Sequence, residues 1–231
     1  MSFKHGILFL LMAGAALAAA GAANGLAGRL GLSLTALSFL IVAIAYCFGW
    51  PCLLMKRSDG ARPWWAWIAL WPYFGLVWVS FWLIRLLHRH GASTEVEPGV
   101  WLSRRLSARE IRGIRSSGVG LLAVLDLAAE LPRGAPRELT YLSLPLLDGT
   151  APSIEAMNRA VQWIDEQHAR GPVLVHCAAG HGRSATVVLA WLLSCGYAAD
   201  VETGLARLRE LRPGIAVNRS QLARVREVTN G

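Results

Sequence analysis

A short loop between an apolar strand and an apolar helix most restricts how this chain can fold. The loop residues from Ala178 to Gly182 are small or flexible. Before them the run 172–175 is typical of a buried strand, and after them the run 185–193 is typical of a buried helix that ends near Gly196. A strand, a loop and a helix in this order predict an α/β domain, in which helices cover a central sheet.

The loop has the composition of an anion-binding site. The backbone N–H groups of small residues can turn inward together, and the N-terminus of the following helix adds partial positive charge at the same place. Arg183 adds a planar guanidinium, which suits two oxygens of a phosphate group. Together with Arg183, the predicted phosphate-binding residues are Ala178, Ala179, Gly180, His181 and Gly182.

Cys177 stands immediately before this loop, where a field that attracts anions also favours a thiolate over a thiol. The thiolate is the form of cysteine that attacks phosphorus near neutral pH. The combination predicts hydrolysis of a phosphate ester through a covalent bond to sulfur. Because no group of Cys and His residues has the spacing of a metal site, we expect neither a metal nor another cofactor.

The loop resembles the active-site loop of the cysteine-dependent protein tyrosine phosphatase superfamily, and within it the compact dual-specificity phosphatases. Their loop reads His-Cys-x-x-Gly-x-x-Arg-Ser, and the corresponding residues here run from His176 to Ser184. The resemblance implies that Cys177 is the nucleophile, that Arg183 holds the phosphate, and that Ser184 assists breakdown of the cysteinyl-phosphate. It implies a structural role for His176, which would order the loop. The resemblance covers roughly 96–228.

The family resemblance also implies a general acid on a loop upstream of the nucleophile. Asp148 stands before Cys177 at that spacing. Because Asp-Gly is a common turn pair, a turn residue without a catalytic role is the alternative interpretation of Asp148. Asp126 is the competing acid, but it lies inside an apolar strand and is interpreted as structural.

Many family members carry Ser or Thr where Gly182 stands, and two further differences from other phosphatases of the superfamily restrict the substrate. The loop lacks the extra lysines that phosphoinositide-directed members carry between Cys177 and Arg183, which argues against a highly charged inositol phosphate. A Trp-Pro-Asp sequence does not precede the loop, which argues against a deep pocket for phosphotyrosine alone.

Apolar runs occupy most of the first ninety residues, and hydrophobic residues make up 54% of the whole chain. A helix needs ~20 apolar residues to cross a bilayer, and we predict three spans at about 6–28, 31–55 and 63–87. The first run also has the small-residue composition of a cleaved signal peptide, which is the alternative interpretation of residues 1–28.

The chain is therefore expected to divide into two parts with a short linker. Residues 1–90 form an all-α transmembrane region of about three helices, 91–95 the linker, and 96–231 an α/β dual-specificity phosphatase-like domain with a central sheet flanked by helices. Residues 1–90 are expected to tether this domain to the bilayer, because every predicted catalytic residue lies within 96–231.

Net charge gives no reason to expect a nucleic-acid partner. The chain carries a net charge of +8 at pH 7, but most of the excess lies in the first ninety residues and the phosphatase domain is nearly balanced. The cations beside the spans are instead expected to meet anionic lipid headgroups. They are Lys56, Arg57, Arg62, Arg85 and Arg89.

We expect an integral protein of a bacterial-type inner or plasma membrane, with the phosphatase domain in the cytoplasm. A catalytic thiolate is safer there, because cytoplasmic thiols are kept reduced. With three spans, the N-terminus and the phosphatase domain lie on opposite sides. The cations are then split almost equally between the two sides, so the positive-inside rule gives no preference.

The expected function is hydrolysis of phosphate monoesters by a membrane-anchored phosphatase through a phosphocysteine. A short linker holds the active site near the bilayer, so the expected substrate is a phospholipid monoester such as phosphatidylglycerophosphate. A phosphatase acting on membrane-associated phosphoproteins is the alternative. A non-catalytic phosphate-binding scaffold is the alternative from another class.

Overall fold

The computed structural model describes residues 3–87 and 91–229. Its N-terminal part is helical. The elements are α1 (Phe3–Ala22), α2 (Leu26–Phe48), a 3-10 turn (Pro51–Leu54), α3 (Trp64–Ala69) and α4 (Trp71–Leu87).

Helices α1 and α2 form an antiparallel hairpin. The ring of His5 stacks on Tyr46 with centroids 5.2 Å apart, and Gly6 lies so close to Cys47 that a Cβ on Gly6 would meet its sulfur at 2.5 Å. Helix α2 is followed by Gly49, which has a left-handed backbone (φ 70°) and donates its N–H to the carbonyl oxygen of Ala45. Both helices are long and apolar enough to cross a membrane, and less than half of each is buried within the protein.

The third predicted span, 63–87, is not a single helix of spanning length. It is divided at Leu70 into the six-residue α3 and the 17-residue α4. Pro72 explains the break, because proline cannot donate to the carbonyl of Ile68 and its ring clashes there, whereas it fits the first turn of a new helix. Within the described residues two helices have spanning length, so the expectation of about three transmembrane helices is not confirmed.

The predicted α/β domain is present. Its strands are β1 (Ser93–Glu97), β2 (Val100–Ser103), β3 (Ala123–Ala128), β4 (Thr140–Leu146) and β5 (Val173–His176). They form one sheet in the order β1-β2-β5-β3-β4, in which β1 is antiparallel to β2 and the others are parallel. The strand that precedes Cys177 is therefore the central one.

Helices flank this sheet, as expected. They are α5 (Ala108–Ile114), continued by a π-helical turn (Arg115–Val119), α6 (Ile154–His168), α7 (Arg183–Ser194), α8 (Val201–Leu211) and α9 (Arg219–Thr229). Helix α7, which follows the phosphate loop, is buried over most of its length, and Trp191 on it is fully buried. Ser107 and Glu110 form a capping box that begins α5.

The N-terminal part packs directly on the α/β domain. Leu54, Leu70 and Tyr73 share one buried cluster with Ala129 and Leu147, which follow β3 and β4. In a neighbouring cluster, α4 contacts the segment after β3 through Phe81. The N-terminal helices therefore form part of the same packed structure and do more than tether the domain.

A buried ion pair fixes this packing. Lys56 Nζ lies 2.7 Å from Asp126 Oδ2 and 2.6 Å from the carbonyl oxygen of Ala128, and both charged side chains are fully buried. The Tyr141 hydroxyl donates to the same carboxylate at 2.6 Å. Burial opposes the charge on Asp126, but Lys56, His176 and these hydrogen bonds outweigh it and lower the pKa of Asp126 to about 2.

The expectation that Lys56 meets lipid headgroups is therefore wrong, because a buried ammonium with two oxygen partners has no access to a bilayer. Arg62 also turns inward: it donates to the carbonyl oxygens of Leu54 and Ala129 and lies over the Phe74 ring. Arg57 is exposed. Arg89 lies outside the described residues.

Replacing Lys56 with methionine should destabilise the protein by about 3–5 kcal/mol, because Asp126 would become an uncompensated buried charge. Thermal unfolding of the full chain in detergent measures this. Arg57→Met, which removes a neighbouring exposed cation, should change stability by less than about 0.5 kcal/mol. Equal effects of the two substitutions would show that the Lys56–Asp126 pair does not hold the two parts together.

Candidate active site

The phosphate loop lies at the carboxyl end of the central strand, where open α/β sheets bind ligands. Strand β5 ends at His176 and α7 begins at Arg183. Gly180 allows the loop to pack on the end of β2, because its backbone is left-handed (φ 75°) and a Cβ there would lie 2.5 Å from the nitrogen of Arg104. The carbonyl of Ala178 accepts a hydrogen bond from Arg105 at 3.0 Å.

Cys177 is buried at the base of this loop, with 2% of its surface exposed. Its sulfur accepts a hydrogen bond from the Gly180 N–H at 3.2 Å and lies 3.2 Å from the Ser184 hydroxyl. Donors directed at sulfur stabilise a thiolate more than a thiol. The structure thus brings the predicted nucleophile and Ser184 into direct contact.

His176 lies behind the loop, where its Nδ1 donates to the carbonyl oxygen of Cys177 at 3.2 Å. Burial lowers the pKa of His176, although Asp126 on its other side opposes this shift. A neutral, buried imidazole bonded to the loop backbone fits the predicted structural role. Asp126, also buried, supports this histidine and Lys56 and does not line the cavity around Cys177.

Arg183 is held by a carboxylate that the sequence interpretation missed. Its two terminal nitrogens donate to Glu130 at 2.6 and 2.7 Å, and Nη1 also donates to the Leu146 carbonyl at 2.9 Å. Burial opposes the charge, but Glu130 and Asp148 outweigh it and raise the pKa of Arg183 well above its ordinary value. Its Nε is buried and has no hydrogen-bond partner in the described part of the chain, which leaves a donor for a phosphoryl oxygen.

Asp148, the general acid that the family resemblance implies, lies beside Arg183. Its Oδ1 is 3.2 Å from Arg183 Nη2, and 62% of its side chain is exposed. The loop that follows Asp148 is held by side chains at the start of α9. Asn218, immediately before the helix, donates to the Gly149 carbonyl oxygen, and Gln221, in its first turn, donates to the Thr150 carbonyl oxygen, each at 3.0 Å. An exposed carboxyl group at the mouth of the site can reach a substrate oxygen.

A cavity of about 250 Å³ contains this group of residues and extends beyond the α/β domain. Cys177, Arg183 and Asp148 line it, together with Ala178, Ala179, His181 and Gly182 of the loop. One face of α4 forms another wall, since its lining residues recur every three or four positions. They are Tyr73, Leu76, Val77, Ser80, Phe81, Ile84 and Arg85.

The hairpin α1–α2 also reaches this cavity, through His5, Phe9 and Tyr46. Tyr46 is 4% exposed and interacts with the backbone of Asp148. Nothing in the apolar runs distinguishes these residues from their apolar neighbours, so the sequence alone does not identify them. Glu130 carried a weak signal only, as an acid that follows an apolar strand.

Comparison with known proteins agrees with this geometry. The family model for the dual specificity phosphatase catalytic domain matches residues 111–230. Mouse dual specificity protein phosphatase 2 is 32% identical over 109 residues, which cover 46% of this chain and 34% of the mouse protein. Mouse dual specificity protein phosphatase 12 is 31% identical over 131 residues, covering 55% and 38%. The chain thus spans about a third of the length of these relatives.

Solved structures show the same fold. The active form of Tk-PTP matches with a TM-score of 0.54 and 29% identity, covering 60% of this chain and 97% of that one. PTPMT1, solved in complex with PI(5)P, matches with a TM-score of 0.54 at 20% identity, covering 61% of this chain and 96% of that one.

The chain belongs to the dual-specificity phosphatase family. The part of the chain that the family model matches is preceded by two helices long and apolar enough to cross a membrane. Across residues 3–87 and 91–229, no group of three or more His, Cys, Asp or Glu side chains is arranged to hold a metal ion.

Replacing Cys177 with serine should lower the hydrolysis of p-nitrophenyl phosphate by about 10³-fold or more, because serine is a far weaker nucleophile in this loop. Binding of vanadate should persist, since the loop amides and Arg183 remain. Cys195→Ser, at an exposed cysteine, is the matched control and should leave the rate unchanged. Substantial residual activity of Cys177→Ser in steady-state assays would exclude the cysteine as the nucleophile.

Replacing Asp148 with asparagine should lower the rate by about 10²–10⁴-fold on alkyl phosphates, the usual contribution of general acid–base catalysis. The loss should be smaller on p-nitrophenyl phosphate, whose leaving group needs little protonation. Comparing the two rates checks the assignment. An equal loss on both substrates would mean that Asp148 only positions Arg183.

Proposed function

We propose that this phosphatase hydrolyses a phospholipid monoester at a membrane surface. The observation that carries the proposal is the shared cavity: the nucleophile and Arg183 open onto a wall of apolar side chains from α1, α2 and α4. A soluble phosphate ester has no need of such a wall. The apolar part of a lipid would be stabilised there, because removing apolar surface from water is favourable.

Helix α4 supports this proposal because it is apolar on two faces. One face lines the cavity, and on the other face Val79, Trp82, Leu83 and Leu86 are between 50% and 77% exposed. Exposed apolar surface of this kind marks contact with a membrane or a partner. With α1 and α2 in a bilayer, α4 would lie between the lipid and Cys177, so that a lipid could reach the site without leaving the interface.

The chemistry proposed for the site has two steps. The Cys177 thiolate attacks phosphorus, a sulfur–phosphorus bond forms, and the bond to the leaving oxygen breaks as Asp148 donates a proton to that oxygen. Asp148, now a carboxylate, then takes a proton from water, which attacks the phosphocysteine and releases phosphate and the thiolate. Arg183 and the loop amides hold the phosphoryl charge in both steps.

The hairpin geometry supports a cytoplasmic phosphatase domain. Because α1 and α2 are antiparallel, the N-terminus and the segment after α2 lie at the same end, where Lys56 joins the phosphatase domain. Lys4, Lys56, Arg57 and Arg62 therefore lie on the domain side of the two helices, and only Arg29 lies near the opposite turn. The positive-inside rule favours the cytoplasm for the domain side.

Hydrolysis of membrane-associated phosphoproteins is the second candidate. The observation in its favour is that the curated relatives are named protein phosphatases. A phosphoprotein substrate would use Cys177, Arg183 and Asp148 in the same way, but it would leave the apolar wall of the cavity without a role.

The wall can be tested with two leucines on α4. Leu76→Gln, on the cavity face, should lower kcat/KM for a long-chain phospholipid monoester in mixed micelles by about tenfold or more, because it removes apolar contact from the substrate. It should leave p-nitrophenyl phosphate hydrolysis unchanged. Leu83→Gln, on the outer face, is the matched control and should leave both rates unchanged.

The same assay separates the two candidates. The lipid proposal expects the wild-type protein to prefer the phospholipid over phosphopeptides. A much higher kcat/KM for phosphopeptides than for the phospholipid, with Leu76→Gln and Leu83→Gln changing kcat/KM for the phospholipid equally, would contradict the lipid function and support the phosphoprotein function.

A further inference from the structure

Arg104 lies beside the phosphate loop because of strand register. In the parallel pair β2–β5, Ser103 is opposite His176. Arg104 follows β2 and Cys177 follows β5, so both residues lie at the same edge of the sheet. Neighbouring strands are about 4.8 Å apart. Arg104 also lines the cavity that contains Cys177.

A second guanidinium reaches the same place from α4. Arg85, in the last turn of that helix, lines the cavity, and its Nη2 donates to Glu110 Oε1 at 2.8 Å. Nη2 of Arg104 donates to the same oxygen, also at 2.8 Å. One carboxylate thus orients two guanidinium groups that come from separate parts of the chain.

The shared carboxylate leaves this side of the cavity positive. Burial opposes the charge on Glu110, but its bonds to Arg104 and Ser107 outweigh this and lower the pKa of Glu110 to about 2, so it stays ionised at neutral pH. Two cations against one anion leave one positive charge. Arg212 adds another at the cavity, since its partners in the described chain are carbonyl oxygens and the Thr94 hydroxyl.

The negative charges of the site lie elsewhere. Glu130 and Asp148 both contact Arg183, which is the group that holds the phosphoryl oxygens of the reacting phosphate. The cavity therefore has a reacting end at Cys177, an apolar wall, and a positive side at Arg85 and Arg104. A substrate that matches all three has a phosphate monoester, an apolar part and a further acidic group.

We infer that Arg85 and Arg104 form a second anion-binding site, which takes a phosphodiester or similar acidic group of the lipid whose phosphate monoester is hydrolysed at Cys177. The inference rests on the lipid function proposed above and narrows it to lipids with two acidic groups in the headgroup. The cations that the phosphate loop lacks between Cys177 and Arg183 are supplied here by Arg104, which follows β2, and by Arg85 of α4.

Two lipids with identical acyl chains test the inference on the full-length protein. Phosphatidylglycerophosphate carries a phosphodiester as well as the monoester, whereas phosphatidic acid carries the monoester alone. Arg85→Gln and Arg104→Gln should each raise KM for the first lipid about tenfold, the effect of losing a hydrogen bond between charged groups. Hydrolysis of phosphatidic acid and p-nitrophenyl phosphate should stay within about twofold of wild type, since each lacks the second group.

Two further variants control for charge and geometry. Arg104→Lys keeps the positive charge and should recover part of the loss. Arg57→Gln removes an exposed cation outside the cavity and should change none of the rates. The inference is overturned if Arg85→Gln and Arg104→Gln weaken both lipids equally, or if they change neither.

Water-soluble substrates separate this inference from the proposed function. Glycerophosphoglycerol phosphate and glycerol 3-phosphate differ in the same phosphodiester but have no acyl chains. One outcome is that neither lipid is hydrolysed, while Arg85→Gln and Arg104→Gln each weaken hydrolysis of glycerophosphoglycerol phosphate but not of glycerol 3-phosphate. That outcome would support the second anion-binding site and contradict the lipid function. A preference for doubly over singly phosphorylated peptides that both variants abolish would overturn the lipid assignment in favour of phosphoproteins.

Discussion

The contact on which the structure most depends is the buried pair between Lys56 and Asp126. It lies between two parts of the chain that look independent in sequence: a helical N-terminal part and an α/β phosphatase domain. On its far side Asp126 faces His176, with Oδ1 3.9 Å from Nδ1, and His176 in turn bonds the backbone of Cys177. A short series of polar contacts thus connects the segment after α2 to the nucleophile.

The active site is therefore built from both parts of the chain. Every residue that does chemistry in our account lies in the phosphatase domain, yet the cavity above Cys177 is completed by α1, α2 and α4. In the function proposed above, this apolar wall selects an amphiphilic substrate without adding a catalytic group.

Much of the phosphatase domain could be predicted from sequence, because the information is local. An apolar run, a loop of small residues and a second apolar run place Cys177 and Arg183 without any long-range contact, and a family spacing places Asp148 beside Arg183. Glu130 is not predicted, since its role depends on which residue of the segment after β3 comes close to Arg183.

The N-terminal part is harder to predict from sequence for a physical reason. The hydropathy of a helix indicates that its side chains are removed from water, but it does not distinguish burial in lipid from burial against a protein surface. Hydropathy thus predicts a span over 63–87, although Pro72 divides this run and α4 packs on the active site. The sequence likewise places Lys56 at the headgroups, because its partner, Asp126, is distant along the chain.

Separate expression of the two parts tests most directly whether they form one catalytic unit. Residues 91–231 alone should be unstable and should have little activity on p-nitrophenyl phosphate, because Asp126 loses Lys56 and the cavity loses one wall. Co-expression with residues 1–87 should yield a complex that purifies together and recovers the rate of the intact chain. A fragment 91–231 that is stable and as active as the intact chain would contradict this account.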